Sequence, residues 1–563
     1  MVVLNTCTVT AAADQDARAS IRRIHRENPA AKIMVTGCYA QRAPQEIAAL
    51  PGVTWVVGNS HKHRVAEIAA NTGSEPELQA QAVESHAWEH GFSDHAVHES
   101  EPRNFVSLET VSLSAPAFTL VGDIFAHTEL VAAPVFAGAI AEKTRPNLKV
   151  QDGCNSRCSF CIIPSVRGQS RSMKLDRVIE EANALVAAGY REIVLSGINL
   201  GRWGRDFQPQ QKFEQLVRAL LEYTGIEKIR ISSVEPMDWS DDLIALVASS
   251  PRIAKHAHVP LQSGSDRILR KMHRKYRPWH YSEKIRKIRE AMPDAAIGAD
   301  VMVGFPGETD ELFEESRSFI EHLPFTYLHV FTYSSRPGTP SAAMPDQVPV
   351  NVARERNRVL RELAAEKNRA FRQSFVGRSL EVITLQAGGD SWTEALSDNY
   401  LKVRLAGRHE ANDIFTVDIT ETGDEELVAM AQRKSLQTLF DGRVLWSGDT
   451  PESRTLRLPP LDPRPDKPHP KNAPGGFYVV DTECMSCGYP HALAPELMEW
   501  ETDSEGRPEH CFFRKQPETA LELIHAVKAI EGSCCGALRY CGSDPEIIRK
   551  LKDAGCREAI DRQ

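Results

Sequence analysis

The chain lacks any long run of apolar residues: nowhere in its 563 residues does a stretch approach the ~18 residues that a membrane-spanning helix needs. Its start, Met1-Val-Val-Leu-Asn5, has neither a basic segment nor a long apolar segment, so nothing directs export. We therefore expect a cytoplasmic protein without a membrane segment. Because no export signal is present, the twelve cysteines indicate metal or redox use rather than disulfides.

The composition is ordinary for a globular protein, with 42% hydrophobic and 25% charged residues. The chain is too long for one hydrophobic core, and the usual domain size predicts about three to five domains. The net charge of −9 does not exclude a nucleic-acid partner, because the distribution of charge matters more than its sum.

Two segments are strongly basic. Residues 267–289 hold ten Lys and Arg against one acidic residue and interleave Tyr276, Trp279 and Tyr281, and residues 351–378 hold eight against three Glu. This mixture suits phosphate contact and base stacking. Each segment alone fits a solvated helix face equally well.

Three cysteines, Cys154, Cys158 and Cys161, follow the spacing C-x3-C-x2-C in a loop that begins after Gly153. A 4Fe-4S cluster normally takes four thiolates, so three local ligands leave one iron open to a small molecule. A structural zinc site would need a fourth ligand nearby, and no Cys or His follows within a dozen residues. A disulfide with one spare thiol is the other alternative. The motif predicts a 4Fe-4S cluster.

This motif, with Phe160 before its third cysteine, resembles the radical S-adenosylmethionine enzymes, whose open iron binds S-adenosylmethionine and whose cluster cleaves it to a 5′-deoxyadenosyl radical. Further segments, from residue 1 to about residue 445, resemble the methylthiotransferases. These segments are Asn5-Thr-Cys7-Thr-Val-Thr10, Thr36-Gly-Cys38-Tyr-Ala-Gln41, Ser196-Gly-Ile-Asn-Leu-Gly201, Ser232-Ser-Val-Glu-Pro236, Pro260-Leu-Gln-Ser-Gly264, Gly304-Phe-Pro-Gly-Glu308 and Tyr333-Ser-Ser-Arg-Pro-Gly-Thr-Pro340.

The resemblance implies an enzyme that adds a methylthio group to carbon 2 of a modified adenosine beside the anticodon of tRNA. The segment around Cys7 is most similar to the subgroup acting on threonylcarbamoyladenosine. Alternatives are the isopentenyladenosine subgroup, the ribosomal-protein aspartate subgroup, a non-enzymatic iron-sulfur electron-transfer protein and an RNA-binding protein with a decayed catalytic domain. The implied cofactors are S-adenosylmethionine and two 4Fe-4S clusters. The implied partners are tRNA and an electron donor such as flavodoxin or ferredoxin.

Residues 1–70 alternate short apolar runs with helical stretches and predict a Rossmann-like β-α-β fold with a parallel sheet. Cys7 and Cys38 fall just past two strand ends, where their thiols can face one site, although either fits an ordinary buried cysteine. The resemblance implies a second, auxiliary 4Fe-4S cluster bound by three cysteines, of which Cys7 and Cys38 match two. The third has no counterpart, so the domain looks truncated. We expect the reading frame to extend about 30 to 45 residues upstream and to carry a Gly-Cys turn there.

Six β-like runs alternate with helical stretches and predict a partial (β/α)6 barrel with its site at the carboxyl ends of the strands. The runs are 148–151, 192–196, 228–232, 257–261, 299–303 and 327–333. By resemblance, the residues that follow these strands bind S-adenosylmethionine, although each also fits a plain turn residue. They are Ser196, Gly197, Asn199, Ser233, Glu235, Gln262 and Gly304.

Three further segments each carry an expectation. Residues 71–140, with His86, His90, His95 and His98, fit a variable surface insertion better than a metal site. Residues 374–446 show β-like alternation that predicts a small antiparallel barrel, and their segment 398–404 resembles the TRAM RNA-binding domain; a purely structural β-domain is the alternative. Residues 447–476 are a proline-rich linker.

Residues 477–563 hold the other seven cysteines, and Cys484-Met-Ser-Cys487 resembles a single-cluster ferredoxin, although that family's third cysteine falls at Pro490. Cys511 with one of Cys534, Cys535 or Cys541 would complete a four-thiolate site for iron-sulfur or zinc. A module without metal is the alternative. We expect an α/β protein in which residues 141–373 form the radical S-adenosylmethionine core and 477–563 a ferredoxin-like α+β module. This module would carry a third cluster and deliver electrons to the core.

Overall fold

The computed structural model describes residues 1–70, 117–126, 130, 144–387, 391–431, 468–480, 484, 489–502, 508–533, 537–554, 556 and 559–561. The chain divides into two compact units. The first comprises Met1–Ala133, Gln151–Ser172 and Ser334–Ala343, and the second comprises Pro134–Val150, Met173–Tyr333 and Met344–Gln563. The four histidines of the expected insertion, together with Cys487, Cys534 and Cys535, lie outside the described residues. Within the described ranges, no helix is long and apolar enough to cross a membrane.

The first unit begins with a four-stranded parallel sheet in the order β1-β2-β3-β4. Its strands are β1 (Val2–Thr6), β2 (Ile33–Gly37), β3 (Val53–Gly58) and β4 (Phe118–Leu120), and its helices are α1 (Ala11–Glu27), α2 (Cys38–Arg42), α3 (Pro44–Ala48) and α4 (Val65–Ala70). The hydroxyl of Thr10 caps α1 by accepting from the Ala13 amide, and Ala17 and Ile21, four residues apart, bury one face of α1. The predicted parallel β-α-β fold is confirmed. Strand β4 arises within the interval expected to be an insertion.

Three short strands follow along the chain: β5 (Asn147–Lys149), β6 (Gln151–Asp152) and β7 (Arg171–Ser172). In the first unit, β6 and β7 pair antiparallel and form the base of the cysteine loop, which also contains helix α5 (Ile163–Arg167). The predicted first barrel run, 148–151, is therefore divided between β5 and β6. Gly153 has φ +69°, and a Cβ there would lie 1.9 Å from the carbonyl oxygen of Gln169. Only glycine fits this turn.

The second unit contains a parallel strand from each of the six predicted runs. After β5 come β8 (Glu192–Ser196), β9 (Lys228–Ile231), β10 (His256–His258), β11 (Ala296–Val303) and β12 (Tyr327–Thr332). Strands β5-β8-β9 and β10-β11-β12 form two parallel sheets, and a parallel bridge between Ser233 and His258 joins them. The helices are α6 (Leu175–Ala187), α7 (Phe213–Tyr223), α8 (Asp241–Ser249), α9 (Asp266–Lys271), α10 (Pro278–Ala291), α11 (Asp310–His322) and α12 (Val350–Gln373).

Five strands then close a small barrel in the order β13-β14-β15-β17-β16. They are β13 (Ser379–Ala387), β14 (Trp392–Ser397), β15 (Lys402–Ala406), β16 (Ile414–Thr422) and β17 (Leu427–Ala431). The prediction of a wholly antiparallel barrel is wrong in one pair, because β15 and β17 run parallel. A closed ring with an odd number of strands cannot alternate direction throughout, so one parallel pair is unavoidable.

The C-terminal segment packs around two antiparallel pairs, β18 with β21 and β19 with β20. Its elements are β18 (Phe477–Val479), α13 (Tyr489–Leu493), β19 (Met498–Thr502), β20 (Pro508–Phe513), α14 (Ala520–Glu531), β21 (Leu538–Tyr540) and α15 (Pro545–Asp553). This order is α+β. The ferredoxin-like assignment stays a prediction.

Candidate functional site

The three cysteines of the C-x3-C-x2-C motif lie on one tight loop of the first unit. The amide of Cys154 donates to the carbonyl of Gly168 at 3.1 Å, and that of Cys161 to the carbonyl of Cys158 at 3.1 Å. The sulfur of Cys154 accepts from the Ser156 amide at 3.4 Å. All three thiols are half-buried. Partly accessible sulfurs, one of which accepts from an amide, suit the thiolate ligands of an iron-sulfur cluster.

Cys38 lies against the helix that follows this loop. It is 3% exposed and packs with Ile162 and Val166 in a small apolar cluster. The Asn59 amide donates to the Cys38 sulfur at 3.4 Å and to the Val166 carbonyl at 2.9 Å. The sequence predicted both Cys38 and the C-x3-C-x2-C motif, and the fold brings Cys38 next to the end of that motif.

Arg167, at the end of α5, was not foreseen as a functional residue. Burial lowers the pKa of its guanidinium, but the charges of Cys38 and Asp152 outweigh burial and raise it. Arg167 donates to the carboxylate of Asp152 at 3.0 Å. Arg167 thus supplies a fixed positive charge beside the Cys38 sulfur.

Cys7 and Cys38 follow strands that are direct neighbours. In the β1–β2 ladder Thr6 is the partner of Gly37, so each cysteine is the next residue after a paired position. Cys7 is exposed, whereas Cys38 is buried. The expected juxtaposition of these strand ends is present; their role as cluster ligands stays a prediction.

A buried ion-pair network ties three parts of the first unit together. The Asp14 carboxylate accepts from Thr8 at 2.6 Å, from Arg42 at 3.1 Å and from Arg336 at 2.5 Å. Arg336 belongs to the segment Tyr333-Ser-Ser-Arg-Pro-Gly-Thr-Pro340. This network holds residues 334–343 against the turn that follows Cys7.

In the second unit, the predicted cofactor residues lie at the carboxyl ends of the barrel strands. Ser196 ends β8 and pairs with Lys149, and Gly197 and Asn199 follow it directly, with Asn199 buried. Ser233 pairs with His258 across the join of the two sheets. These positions share one edge of the sheet, as parallel strands require.

Glu235, which follows β9, forms an ion pair with Arg274. Arg274 is buried, and its Nε also donates to the Tyr276 hydroxyl at 3.1 Å. Arg274 was predicted only as one charge of the basic segment 267–289. Its partner could not be read from the sequence, because 39 residues separate it from Glu235.

Gln262 and Gly304 occupy special backbone conformations at the same strand ends. Gln262 has φ +64°, and its side-chain oxygen Oε1 is buried without a hydrogen-bond partner. Gly304 has φ +75°, and its amide donates to the Glu308 carboxylate at 2.6 Å. Burial raises the pKa of Glu308, against the opposing effects of the Gly304 amide and Arg356. A buried, unpartnered amide oxygen suits contact with an N–H group of a ligand.

The basic segment 267–289 does not form the expected stacking surface. Tyr276 and Tyr281 are buried, and their hydroxyls donate to backbone carbonyls of Leu261 at 2.6 Å and Val259 at 2.7 Å. Half of the ten cations form ion pairs with carboxylates of the chain: Arg274 with Glu235, Arg270 and Arg277 with Asp266, Lys287 with Asp241, and Arg286 with Glu290. The stacking interpretation is wrong for Tyr276 and Tyr281, because their rings are buried, whereas Trp279 is half-buried.

The second basic segment leaves a row of unpaired charge on α12. Arg356 and Arg358 are paired with carboxylates, whereas Arg354, Arg361 and Arg369 are exposed and form no ion pair within the described residues. Their spacing of seven and eight residues places these three on one face of the helix.

The turn at 398–400, within the TRAM-like segment 398–404, faces the large barrel. Arg230 on β9 donates to the carbonyls of Asp398 at 3.0 Å and Ser397 at 3.2 Å. The Tyr400 ring stacks on His256 with centroids 4.4 Å apart. This part of the TRAM-like segment therefore holds the small barrel on the large one.

In the C-terminal segment, Cys484 and Cys511 are buried together. Their sulfurs are 3.2 Å apart, and the Cys511 amide donates to the Cys484 sulfur at 3.2 Å. Cys541 is exposed. The structure thus pairs Cys484 with the cysteine that the sequence proposed as an additional ligand.

Two family models match the chain: Radical SAM superfamily over residues 148–320 and Uncharacterized protein family UPF0004 over residues 1–58. Threonylcarbamoyladenosine tRNA methylthiotransferase MtaB of Bacillus subtilis is 37% identical over 431 residues, which cover 75% of this chain and 85% of that protein. The tRNA-2-methylthio-N(6)-dimethylallyladenosine synthase of Thermobifida fusca is 33% identical, covering 81% of this chain and 86% of that protein.

Among solved structures, the radical S-adenosylmethionine methyltransferase TsrM of Kitasatospora setae, with cobalamin and a 4Fe-4S cluster bound, is similar with a TM-score of 0.44 and 16% identity. The match covers 61% of this chain and 62% of that one.

Proposed function

Because the chain belongs to the radical S-adenosylmethionine tRNA methylthiotransferases, we propose that it adds a methylthio group to carbon 2 of threonylcarbamoyladenosine in tRNA. The supporting observation is the 37% identity to MtaB along 85% of that protein's length. Of the relatives named for dimethylallyladenosine, one is 33% identical along 86% of its length, and another is 38% identical but along only 64% of its length. The enzyme uses S-adenosylmethionine and a 4Fe-4S cluster.

In this proposal Cys154, Cys158 and Cys161 hold the cluster. When bound and reduced, the cluster supplies the electron that cleaves S-adenosylmethionine to a radical able to remove an unactivated hydrogen, which no protein acid or base can do. The chain supplies position: the loop is closed at its base by the Cys154–Gly168 hydrogen bond, and Gly153 allows its tight turn.

The strand ends of the second unit position S-adenosylmethionine. We assign the buried Oε1 of Gln262 to accept from an N–H group of the cofactor, because it otherwise lacks a partner. The Glu235 carboxylate, held by Arg274, accepts from ribose hydroxyls. The carboxyl ends of these strands also carry the other residues assigned to the cofactor: Ser196, Gly197, Asn199, Ser233 and Gly304.

Cys7 and Cys38 are assigned to an auxiliary cluster, from which the sulfur is delivered. Arg167 and Asn59 position the Cys38 sulfur through their contacts with it. Electrons reach the core from a flavodoxin or ferredoxin, or from a redox centre in residues 477–563 that involves Cys484 and Cys487. A donor tethered by the proline-rich linker would act at a raised effective concentration.

The experiment is mass spectrometry of tRNA nucleosides from cells that lack the gene, complemented with the intact protein or with Cys158→Ala. We expect the methylthio derivative of threonylcarbamoyladenosine only with the intact protein. Restoration of the methylthio derivative of isopentenyladenosine instead would assign the chain to the other tRNA subgroup. No change in either nucleoside would contradict the proposed tRNA substrate.

A further inference from the structure

Three side chains on neighbouring barrel strands meet at a point that the methylthiotransferase chemistry leaves unused. They are His258 on β10, Asp300 on β11 and His329 on β12. Asp300 is the direct ladder partner of His329, and His258 pairs with Gly298, two residues before Asp300. Because successive positions of a strand alternate between the two faces of the sheet, positions 298 and 300 lie on the same face. The register thus brings all three side chains together.

The distances suit a shared ligand. Nε2 of His258 lies 3.4 Å and Nδ1 of His329 lies 3.2 Å from the same carboxylate oxygen, Oδ1 of Asp300. The donor atoms of the three residues all lie within 4.8 Å of one another. Ligands at ~2.0–2.1 Å from a tetrahedral metal ion are about 3.3–3.4 Å apart, which matches both measured pairs.

Burial also favours a ligand. His258 is 8% exposed, and its Nε2 is buried yet forms no hydrogen bond of acceptable geometry. A buried imidazole nitrogen whose contact with Asp300 is not a well-formed hydrogen bond costs free energy that a metal ion would recover. The side chain of Asp300 is 29% exposed and that of His329 is 59% exposed, so the group is open to solvent on the side of these two residues.

The charge of the group fits a cation as well. The Asp300 carboxylate lies between the two imidazole nitrogens and supplies a negative charge to the group. Its backbone carbonyl accepts from the Gln262 amide at 2.8 Å, which places the group beside a residue assigned to the cofactor.

We propose that His258, Asp300 and His329 bind one divalent transition-metal ion through two imidazole nitrogens and one carboxylate oxygen, with a further coordination position open to solvent. Two imidazoles and one carboxylate form a ligand set that zinc, manganese and ferrous iron accept in proteins, whereas it lacks the thiolates that a 4Fe-4S cluster needs. The ion is additional to the iron-sulfur chemistry of the enzyme.

The test uses the full chain, reconstituted anaerobically so that the thiolate sites are already occupied, and Mn²⁺ as the probe. Binding removes the six-line electron paramagnetic resonance signal of hydrated Mn²⁺. We expect one site in the intact protein. Asp300→Asn keeps the side-chain size and removes the charge, and His329→Ala changes an exposed residue; each should weaken binding by more than the about 10–100-fold that follows loss of an outer partner.

His322→Ala is the matched control. His322 is an exposed histidine at the end of α11. Within the described part of the chain, the hydrogen-bond contact of its ring is with the Ser318 carbonyl, at 2.7 Å. This variant should bind Mn²⁺ like the intact protein. Circular dichroism and cluster absorbance of each variant show whether it is folded. Equal binding by the intact protein, Asp300→Asn and His329→Ala, or no binding by any of them, would overturn the proposal.

Discussion

Arg336 donates to the Asp14 carboxylate at 2.5 Å, although 322 residues separate the two in the sequence. Both side chains are almost fully buried, 3% and 6% exposed. Arg42 donates to the same carboxylate. One carboxylate therefore accepts hydrogen bonds from two guanidinium groups in the interior of the first unit.

Replacing this carboxylate should destabilise the first unit. Asp14→Asn leaves the buried Arg336 without its carboxylate partner and leaves Arg42 only the half-exposed Glu46. Removing one partner of a buried pair costs about 3–5 kcal/mol. Denaturant unfolding, followed by a probe in residues 1–70, measures the loss. Glu46→Ala is the control, because Glu46 is half exposed and its pair with Arg42 should contribute at most about 1 kcal/mol. Equal effects of the two variants would contradict the role of Asp14.

The C-x3-C-x2-C thiols are expected to be individually essential. Cys154→Ala, Cys158→Ala and Cys161→Ala should each abolish 5′-deoxyadenosine formation, because a cluster with a lost thiolate no longer binds S-adenosylmethionine productively. The measurement is chromatography of the reduced, anaerobic reaction. Cys541→Ala, which alters an exposed cysteine of the C-terminal segment, should leave the rate unchanged. Undiminished product in any of the three variants would refute the assignment.

Cys7 and Cys38 should affect a different step. Cys7→Ala and Cys38→Ala are expected to lower the iron content and to abolish methylthio-nucleoside formation, while cleavage of S-adenosylmethionine continues. The reason is that sulfur delivery and radical formation use separate thiolates. Arg167→Gln should lower the methylthio product without removing the Cys38 thiol, because it removes the charge beside that sulfur. If Cys38→Ala still yields methylthio-nucleoside, the auxiliary-cluster assignment fails.

The arginine row on α12 should contact tRNA phosphates. Replacing Arg354, Arg361 and Arg369 together by Ala should weaken tRNA binding. The slope of log K against log salt concentration should become shallower by about 2–3, since each lost phosphate contact removes roughly 0.7–0.9. Filter binding across a salt series measures this slope. Arg358→Ala is the control, because Glu355 and Glu362 already pair with Arg358. An unchanged slope in the triple variant would exclude this face.

His256 should make the second unit sensitive to acid. Burial first, and then the charge of Arg230, lower the pKa of His256 well below its ordinary value. Below an ordinary histidine pKa of about 6.5, the unfolded chain binds a proton that the folded chain excludes. Stability is therefore fully present above this pH and falls as the pH decreases. His256→Asn should reduce the fall, measured by denaturant unfolding at about pH 7.5 and 5.5; an identical fall would contradict the assignment.

Many of the barrel strands could be predicted from short stretches of the sequence. The run predicted at 192–196 coincides with β8 (Glu192–Ser196), and the other five barrel runs each contain or overlap a strand. Buried parallel strands are short, apolar and β-branched, and this pattern depends only on neighbouring residues. The C-x3-C-x2-C motif is equally local, because three ligands within eight residues need no distant partner.

Other features depended on distant partners. The sequence predicts that Tyr276 and Tyr281 form a stacking surface. In the structure their hydroxyls donate to carbonyls of another barrel segment, and their rings are buried. Strand β4 joins the N-terminal sheet after a long intervening segment, and its three residues carry too little pattern to predict.

The sequence by itself determined which residues can carry the chemistry: the thiols, the glycines of tight turns and the order of strands. Only the tertiary structure decided which of them meet. The carboxylate shared by Arg42 and Arg336, the place of Arg167 beside Cys38, and the convergence of His258, Asp300 and His329 all depend on strand register and packing. Periodicity along the chain records which face a side chain occupies, whereas register between strands is set by the free energy of the whole fold.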